Sequence, residues 1–266
     1  VVSITSGKGG VGKTFTVLNT AIALSNLGKS VLVLDADLGL ANIDVMTGLR
    51  TEFNLSHVVS GERKLNDIII EGPGGISIIP AASGVEMMCA LDSFERRSLL
   101  ESIEEVAGRY DYLIIDTAAG ISADVMQFNA AATEVFLVVT EDPTSMTDAY
   151  AMIKLLANKY GEKEVSVLIN NVSGGEQGAK RIFNRLANSV DKFLKIKINF
   201  AGYVPSDSTV AESIRNQSPL LLHYPSSQAA LAINRLAKRI EISYSDLKIK
   251  GGMQFFFQSL VEQRAP

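Results

Sequence analysis

The sequence predicts an α/β protein: a doubly wound, mostly parallel sheet with helices on both faces, in a single domain that ends in a C-terminal amphipathic helix. Three observations carry this. Short, near-continuous apolar runs rich in β-branched residues recur along the chain, as strands buried on both faces require. Helical patterns, with apolar residues at three- and four-residue spacing, separate most of them. A glycine-rich turn follows the first run directly and opens the first helical pattern, which is the start of a βαβ unit.

Taken in order, strands are expected at 1–5, 31–35, 76–79, 112–116, 135–140, 165–170 and 200–204. Helices are expected at 15–27, 94–107, 144–160 and 227–240. No internal repeat, low-complexity tract or Pro/Ser-rich linker divides the chain. Its character shifts only late, where polar residues lead to Gly251-Gly252 and an aromatic segment. The expected division is therefore a domain over 1–240 and a tail over 241–266.

Composition excludes several classes. Of 266 residues, 47% are apolar, which is ample for a core, and 25 Lys/Arg against 29 Asp/Glu leave a net charge of −4. That acidic balance argues against a dedicated nucleic-acid binder. The single cysteine, Cys89, cannot make a disulfide framework or a multi-thiolate metal site. No apolar run approaches the ~18 residues of a membrane span, and no signal peptide opens the sequence. A cytoplasmic location is the expectation, and because Val1 is not a natural start, a further segment is expected upstream.

The strongest chemical signal is Gly7-Lys8-Gly9-Gly10-Val11-Gly12-Lys13-Thr14, a P-loop pattern between a strand and a helix. Glycines let backbone N–H groups converge on phosphate oxygens, and the helix N-terminus adds its positive end. Lys13 is suited to the β/γ phosphates and the Thr14 hydroxyl to Mg²⁺, so ATP and Mg²⁺ are the expected ligands. Strand C-termini in an open parallel sheet face the ligand. Asp35 and Asp37 in Asp35-Ala36-Asp37, and Asp116 in Asp116-Thr117-Ala118-Ala119-Gly120, therefore emerge beside the P-loop. We assign Asp37 to the attacking water, Asp116 to the outer shell of the metal, and Asp35 to assisting that metal.

With Lys8 included, the loop resembles the deviant P-loop of the MinD/ParA ATPase superfamily, in which the early lysine marks ATP-dependent dimerisation. The resemblance implies that Lys8 reaches the partner's nucleotide. It also implies an adenine pocket from Asn170 (Asn171 if the register slips by one) and from Pro205 and Asp207. Phe15 stands where many members carry Thr or Ser beside the α-phosphate, so weakened nucleotide binding is expected, with its backbone N–H retained. Ala118 stands where the superfamily usually has Pro.

Within that superfamily, one cysteine excludes the nitrogenase iron proteins and iron–sulfur scaffolds. The tail lacks the tyrosine cluster of the related kinases, and the net charge disfavours DNA-partitioning members, so no direct DNA binding is expected. The segments 35–49, 76–84, 116–121 and 141–156 are similar to the flagellar FleN/FlhG branch. That resemblance implies a homodimer with ATP that regulates flagellar number, restrains a FleQ-like transcription activator and works beside the FlhF GTPase. The FlhF-stimulating segment lies N-terminal to the ATPase fold in that branch, so it is expected to be missing from this sequence. The alternative is a MinD-type ATPase that positions the division site. An ATP-dependent group-transfer enzyme has no second-substrate constellation to support it.

Met253, Phe256, Phe257, Leu260 and Val261 form one stripe of a helix near 253–262, flanked by Phe255. The resemblance implies reversible inner-membrane attachment, with the cell pole as one location. The residues alone are equally consistent with docking on the chain's own domain. His57 and His223 are isolated and take ordinary roles. Glu141-Asp142 reads equally as cleft lining or solvated loop.

Overall fold

The computed structural model describes residues 1–37, 42–49, 51–80, 102–103, 105–106, 108–246 and 253–262. Strand β1 (Val2–Ser6) leads through the glycine-rich loop into α1 (Lys13–Asn26), and β2 (Val31–Ala36) follows. After β2 come α2 (Asn42–Thr47), α3 (Leu55–Val59), α4 (Leu65–Ile68), β3 (Ile70–Glu71) and β4 (Ser77–Pro80). The second half runs β5 (Tyr112–Ala119), α5 (Ala123–Ala131), β6 (Glu134–Val139), α6 (Pro143–Lys159), β7 (Glu164–Val172), α7 (Gly175–Phe193) and β8 (Lys197–Pro205). Helices α8 (Ser208–Arg215), α9 (Leu220–His223), α10 (Gln228–Asp246) and α11 (Met253–Glu262) close the chain.

The strands form one sheet in the order β3-β4-β2-β5-β1-β6-β7-β8. All neighbours are parallel except β3 and β4, whose short antiparallel pairing joins Ile70 to Ile78 and Glu71 to Ser77. The order places β1 at the centre, between β5 and β6, with β2 on the far side of β5. The carboxyl ends of β1, β2 and β5 therefore meet in one crevice, the place where an open α/β sheet binds its ligand. Every residue of β1 and β2 is buried, which accounts for their unbroken apolar character.

Helices cover both faces. On one, α1 and α10 pack through Leu18, Ile22, Ile233 and Leu236. On the other, α5 and α11 meet the sheet through Phe128, Leu32, Leu34, Leu113 and Ile115. The expected tail helix is present and docked: Met253, Phe256, Phe257 and Leu260 are buried. The Phe256 ring stacks on Phe128 of α5 with centroids 6.0 Å apart, and meets Phe257 edge-on at 5.1 Å. Phe255 is 53% exposed. The Val261 side chain, Cys89 and most of the helix expected at 94–107 lie outside the described residues. The helix expected to stop near Ile240 continues to Asp246, so the proposed boundary at 240 falls inside α10. Among the described residues no helix is long and apolar enough to cross a membrane.

A buried polar chain pins α5 to the sheet beneath the crevice. Ser3 Oγ donates to Asn129 Oδ1 at 2.5 Å, Asn129 Nδ2 donates to Thr5 Oγ1 at 3.1 Å, and Thr117 Oγ1 donates to Thr5 Oγ1 at 2.8 Å. Fully satisfied networks of this kind specify one packing arrangement, because any alternative strands a buried polar group.

Candidate functional site

The P-loop is built by its neighbours as much as by its own glycines. A Cβ on Gly7 would stand 2.5 Å from the backbone carbonyl carbon of Asp148, so only glycine lets α6 approach the loop. Gly12 has φ +91°, a conformation that disfavours any side chain, and hands the chain into α1. Lys13 and Thr14 at the start of α1 are buried, and Phe15, 3% exposed, packs into the apolar core while also lining the crevice. The backbone N–H of Phe15 lies in the first turn of α1.

Asp35 and Asp116 face each other in register across β2 and β5. Burial pushes the Asp35 carboxyl up to about 8, and the neighbouring Asp116 adds to the effect, opposed by the backbone N–H groups of Asp37 and Ile43. Burial likewise pushes Asp116 up to about 7, while Thr14 and Lys13 pull it back part of the way. Both Asp116 oxygens are buried and outside ordinary hydrogen-bond geometry, with the Thr14 hydroxyl near enough to act on the carboxyl. An under-satisfied carboxylate beside a buried lysine and threonine hydroxyl is costly unless something cationic joins it. These residues therefore fit a divalent cation that takes its remaining ligands from phosphate. Asp37 is half-buried at the end of β2, its N–H donating to Asp35 Oδ1 at 3.2 Å.

These two pKa shifts make a stability prediction. A carboxyl whose pKa rises on folding stabilises the fold below its unfolded value and loses that contribution as pH climbs through its folded value. The ligand-free protein is expected to lose thermal stability as pH rises from about 4 to about 8. A divalent cation with nucleotide should flatten that slope. Melting curves across this range check it, and a ligand-free profile that rises throughout would count against the assignment.

Lys8 is half-buried, with its side chain 38% exposed. Its ammonium pairs with the Asp142 carboxylate and donates to Thr144 Oγ1 at 2.5 Å. Asp142 is the N-cap of α6, accepting from Thr144 N at 2.9 Å, and Lys8 with these caps holds its carboxyl down at about 2. Neither partner was singled out from the sequence for Lys8. Glu141 is tied down separately, accepting from Ser173 N at 2.9 Å.

Beside the P-loop, a cavity of about 500 Å³ is lined by Val11, Phe15, Asn170, Pro205, Asp207 and Ile214 among others. The structure thus brings the expected base-side residues to one wall. Asn170 Nδ2 donates to the P-loop carbonyl of Val11 at 2.7 Å. The carboxylate of Asp207 is taken up in capping: Oδ1 accepts from Thr209 N and Thr209 Oγ1, and Oδ2 accepts from Ala229 N at the start of α10. Asp207 shapes this wall by joining two helix ends, leaving its backbone and neighbours toward the cavity. Asn171, which also lines it, has φ +57°.

Comparison with known proteins agrees with this geometry. A family model described as an AAA domain (AAA_31) matches residues 1–167. The chain is 39% identical over 265 residues to the antiactivator FleN of Pseudomonas aeruginosa, covering 100% of this chain and 94% of that protein. It is 33% identical to the flagellum site-determining protein YlxH of Helicobacter pylori, covering 98% of this chain and 89% of the relative. Among solved structures, the septum site-determining protein MinD from Pyrococcus horikoshii, complexed with Mg-ADP, superimposes with a TM-score of 0.71 at 26% identity. That match covers 93% of this chain and 98% of the other.

Proposed function

The chain belongs to the MinD/ParA family of P-loop ATPases, in the branch that holds the antiactivator FleN, and from this premise we propose that it is an ATP-dependent dimerising switch that restrains a flagellar transcription activator. The observation that carries the reading is the convergence of Lys13, Thr14 and the buried Asp116 on the P-loop cradle, with Lys8 paired instead to Asp142 of α6. ATP is the substrate that fits: its triphosphate takes the backbone N–H groups of the loop and the Lys13 charge, and its base takes the cavity beside Phe15 and Asn170. Thr14, with Asp116 acting from the outer shell and Asp35 assisting, would hold Mg²⁺, which would neutralise charge on the phosphates. Asp37 orients the attacking water, and Lys13 stabilises the charge that develops in an in-line displacement.

Lys8 has one further task in this scheme. Its ion pair with Asp142 is open to solvent, the two side chains being 38% and 42% exposed, so exchanging it for a second subunit's phosphates costs little. Two subunits close face to face, each Lys8 completing the opposite site, and the closed dimer engages a FleQ-like activator. Operation beside an FlhF GTPase belongs to the same reading. The docked α11, with Phe255 outward, supports a second output: release of the helix to the inner-membrane surface in the ATP state, as a MinD-type ATPase would use it.

Sedimentation with ADP and with a non-hydrolysable ATP analogue tests the switch. The expected result is a dimer with the analogue alone. Lys8→Ala should bind nucleotide and stay monomeric, and Asp37→Ala should give an ATP-bound dimer with little hydrolysis. A monomer under both nucleotides would remove the model. Capture of the activator with and without ATP, repeated after deletion of 253–266, separates the two outputs. Inhibition that survives the deletion supports the antiactivator, and loss of liposome binding alone supports the membrane role.

A further inference from the structure

We propose that Asn170 is a positioning residue for the phosphate cradle: it clamps the Val11 carbonyl outward so that the Gly12 N–H faces the phosphates. This inference rests on the reading of the cavity as an ATP site and adds a role to Asn170 beyond contact with the base.

A trans peptide unit is planar, with its C=O and N–H pointing opposite ways. Whichever side the carbonyl takes, the next residue's N–H takes the other. A phosphate-binding loop therefore needs each carbonyl turned away from the ligand, because one flipped plane replaces a donor with a repelling oxygen. Glycine-flanked planes flip at little steric cost, and this loop carries Gly10 at φ +76° and Gly12 at φ +91°. The loop's carbonyls accordingly have holders. Ser6 Oγ donates to Lys8 O at 2.7 Å, and Thr16 donates to Gly12 O from both N and Oγ1, at 3.0 and 2.8 Å. The carbonyl of Val11 is held by Asn170 Nδ2 at 2.7 Å.

The first two holders are local residues, whereas Asn170 comes from β7, 159 residues along the chain. It is buried, and its amide nitrogen sits where a Cβ on Gly12 would lie 2.3 Å away. Gly12 is thus required twice, for its own backbone angle and for the space that Asn170 occupies. The amide's second N–H and its Oδ1 remain for the cavity, so one side chain couples the base wall to the phosphate loop.

A base-reading role and a loop-positioning role predict different selectivity. Asn170→Asp keeps the shape but replaces the donor with an acceptor facing a carbonyl, and Asn170→Ala removes the donor without adding charge. Binding of ATP and of inosine triphosphate, which lacks the adenine amino group, is measured by displacement of a fluorescent ATP analogue, with calorimetry reporting the active fraction. The expected result is that both variants weaken inosine triphosphate as well as ATP, roughly tenfold or more for Asn170→Asp, whatever further loss the base contact adds for ATP. Weakening confined to ATP, with inosine triphosphate unchanged, assigns Asn170 to the base alone and overturns the proposal. Unchanged binding of both overturns it too. Failure of the wild-type chain to bind ATP would instead overturn the functional reading on which the proposal stands.

Discussion

Lys13→Ala is expected to abolish measurable ATP binding while leaving the protein folded. Lys13 is 7% exposed, on the first turn of a helix whose N-terminus faces the crevice, and its charge lies close enough to Asp116 to lower that carboxyl's pKa. Removing one member of a buried, charge-assisted contact costs about 3–5 kcal/mol, because the remaining charge keeps its desolvation penalty without its partner. That is roughly two to three and a half orders of magnitude in affinity. The substitution also removes a cation from beside Asp116, so the pKa of Asp116 should rise further. Lys13→Met, which retains most of the side-chain volume, separates the charge from the packing. Both variants should lose nucleotide binding by calorimetry, while only Ala should lower the melting temperature through a cavity. Binding retained by either within tenfold of wild type would show that the backbone cradle alone carries the affinity.

The second large effect concerns α11. Phe256→Ala should undock the C-terminal helix without unfolding the domain. Phe256 is 1% exposed, stacked on Phe128 and packed edge-on against Phe257. Truncating a buried phenylalanine typically costs 3–5 kcal/mol. The helix has only 10 residues. Because so short a helix is held to the domain chiefly by its buried side chains, the loss is expressed as local opening, which is cheaper than disrupting the sheet. Amide exchange should accelerate by two orders of magnitude or more over 253–262, with the amides of β1 and β5 still protected. Equal acceleration in both regions would show that α11 is an integral part of the core. The opened variant exposes Phe128 and the stripe of α11, so under the membrane reading it should sediment with liposomes whether or not nucleotide is present.

Legibility in the sequence followed the distance over which each feature is specified. The P-loop is a contiguous motif between a strand and a helix, and Gly12, Lys13 and Thr14 occupy the places that pattern assigns them. Asp35 was readable as a strand end, whereas Asp116, expected to end its strand, lies inside β5, which continues to Ala119; the two still pair in register because neighbouring parallel strands present the same end to the crevice. The stripe of α11 was readable as well, since its apolar side faces one surface. Helix α5 was harder. Val125 and Met126 face the β6 side while Phe128 faces the tail, so apolar positions surround much of the helix and no single stripe stands out. The β3 pairing spans two residues, too short to leave a pattern.

The chemistry at the phosphate end was thus written in short stretches of chain, where residue type and spacing suffice because neighbours in sequence are neighbours in space. The sheet order, the partner of Lys8 on α6, the duties of Asp207 at two helix ends and the reach of Asn170 to Val11 all required the folded chain. So did the face that shelters the tail: an apolar stripe states that something covers it, and only packing against Phe128 names what does. In each case the energy comes from burying or pairing groups more than a hundred residues apart or on separate elements. Local propensity carries no record of such partners.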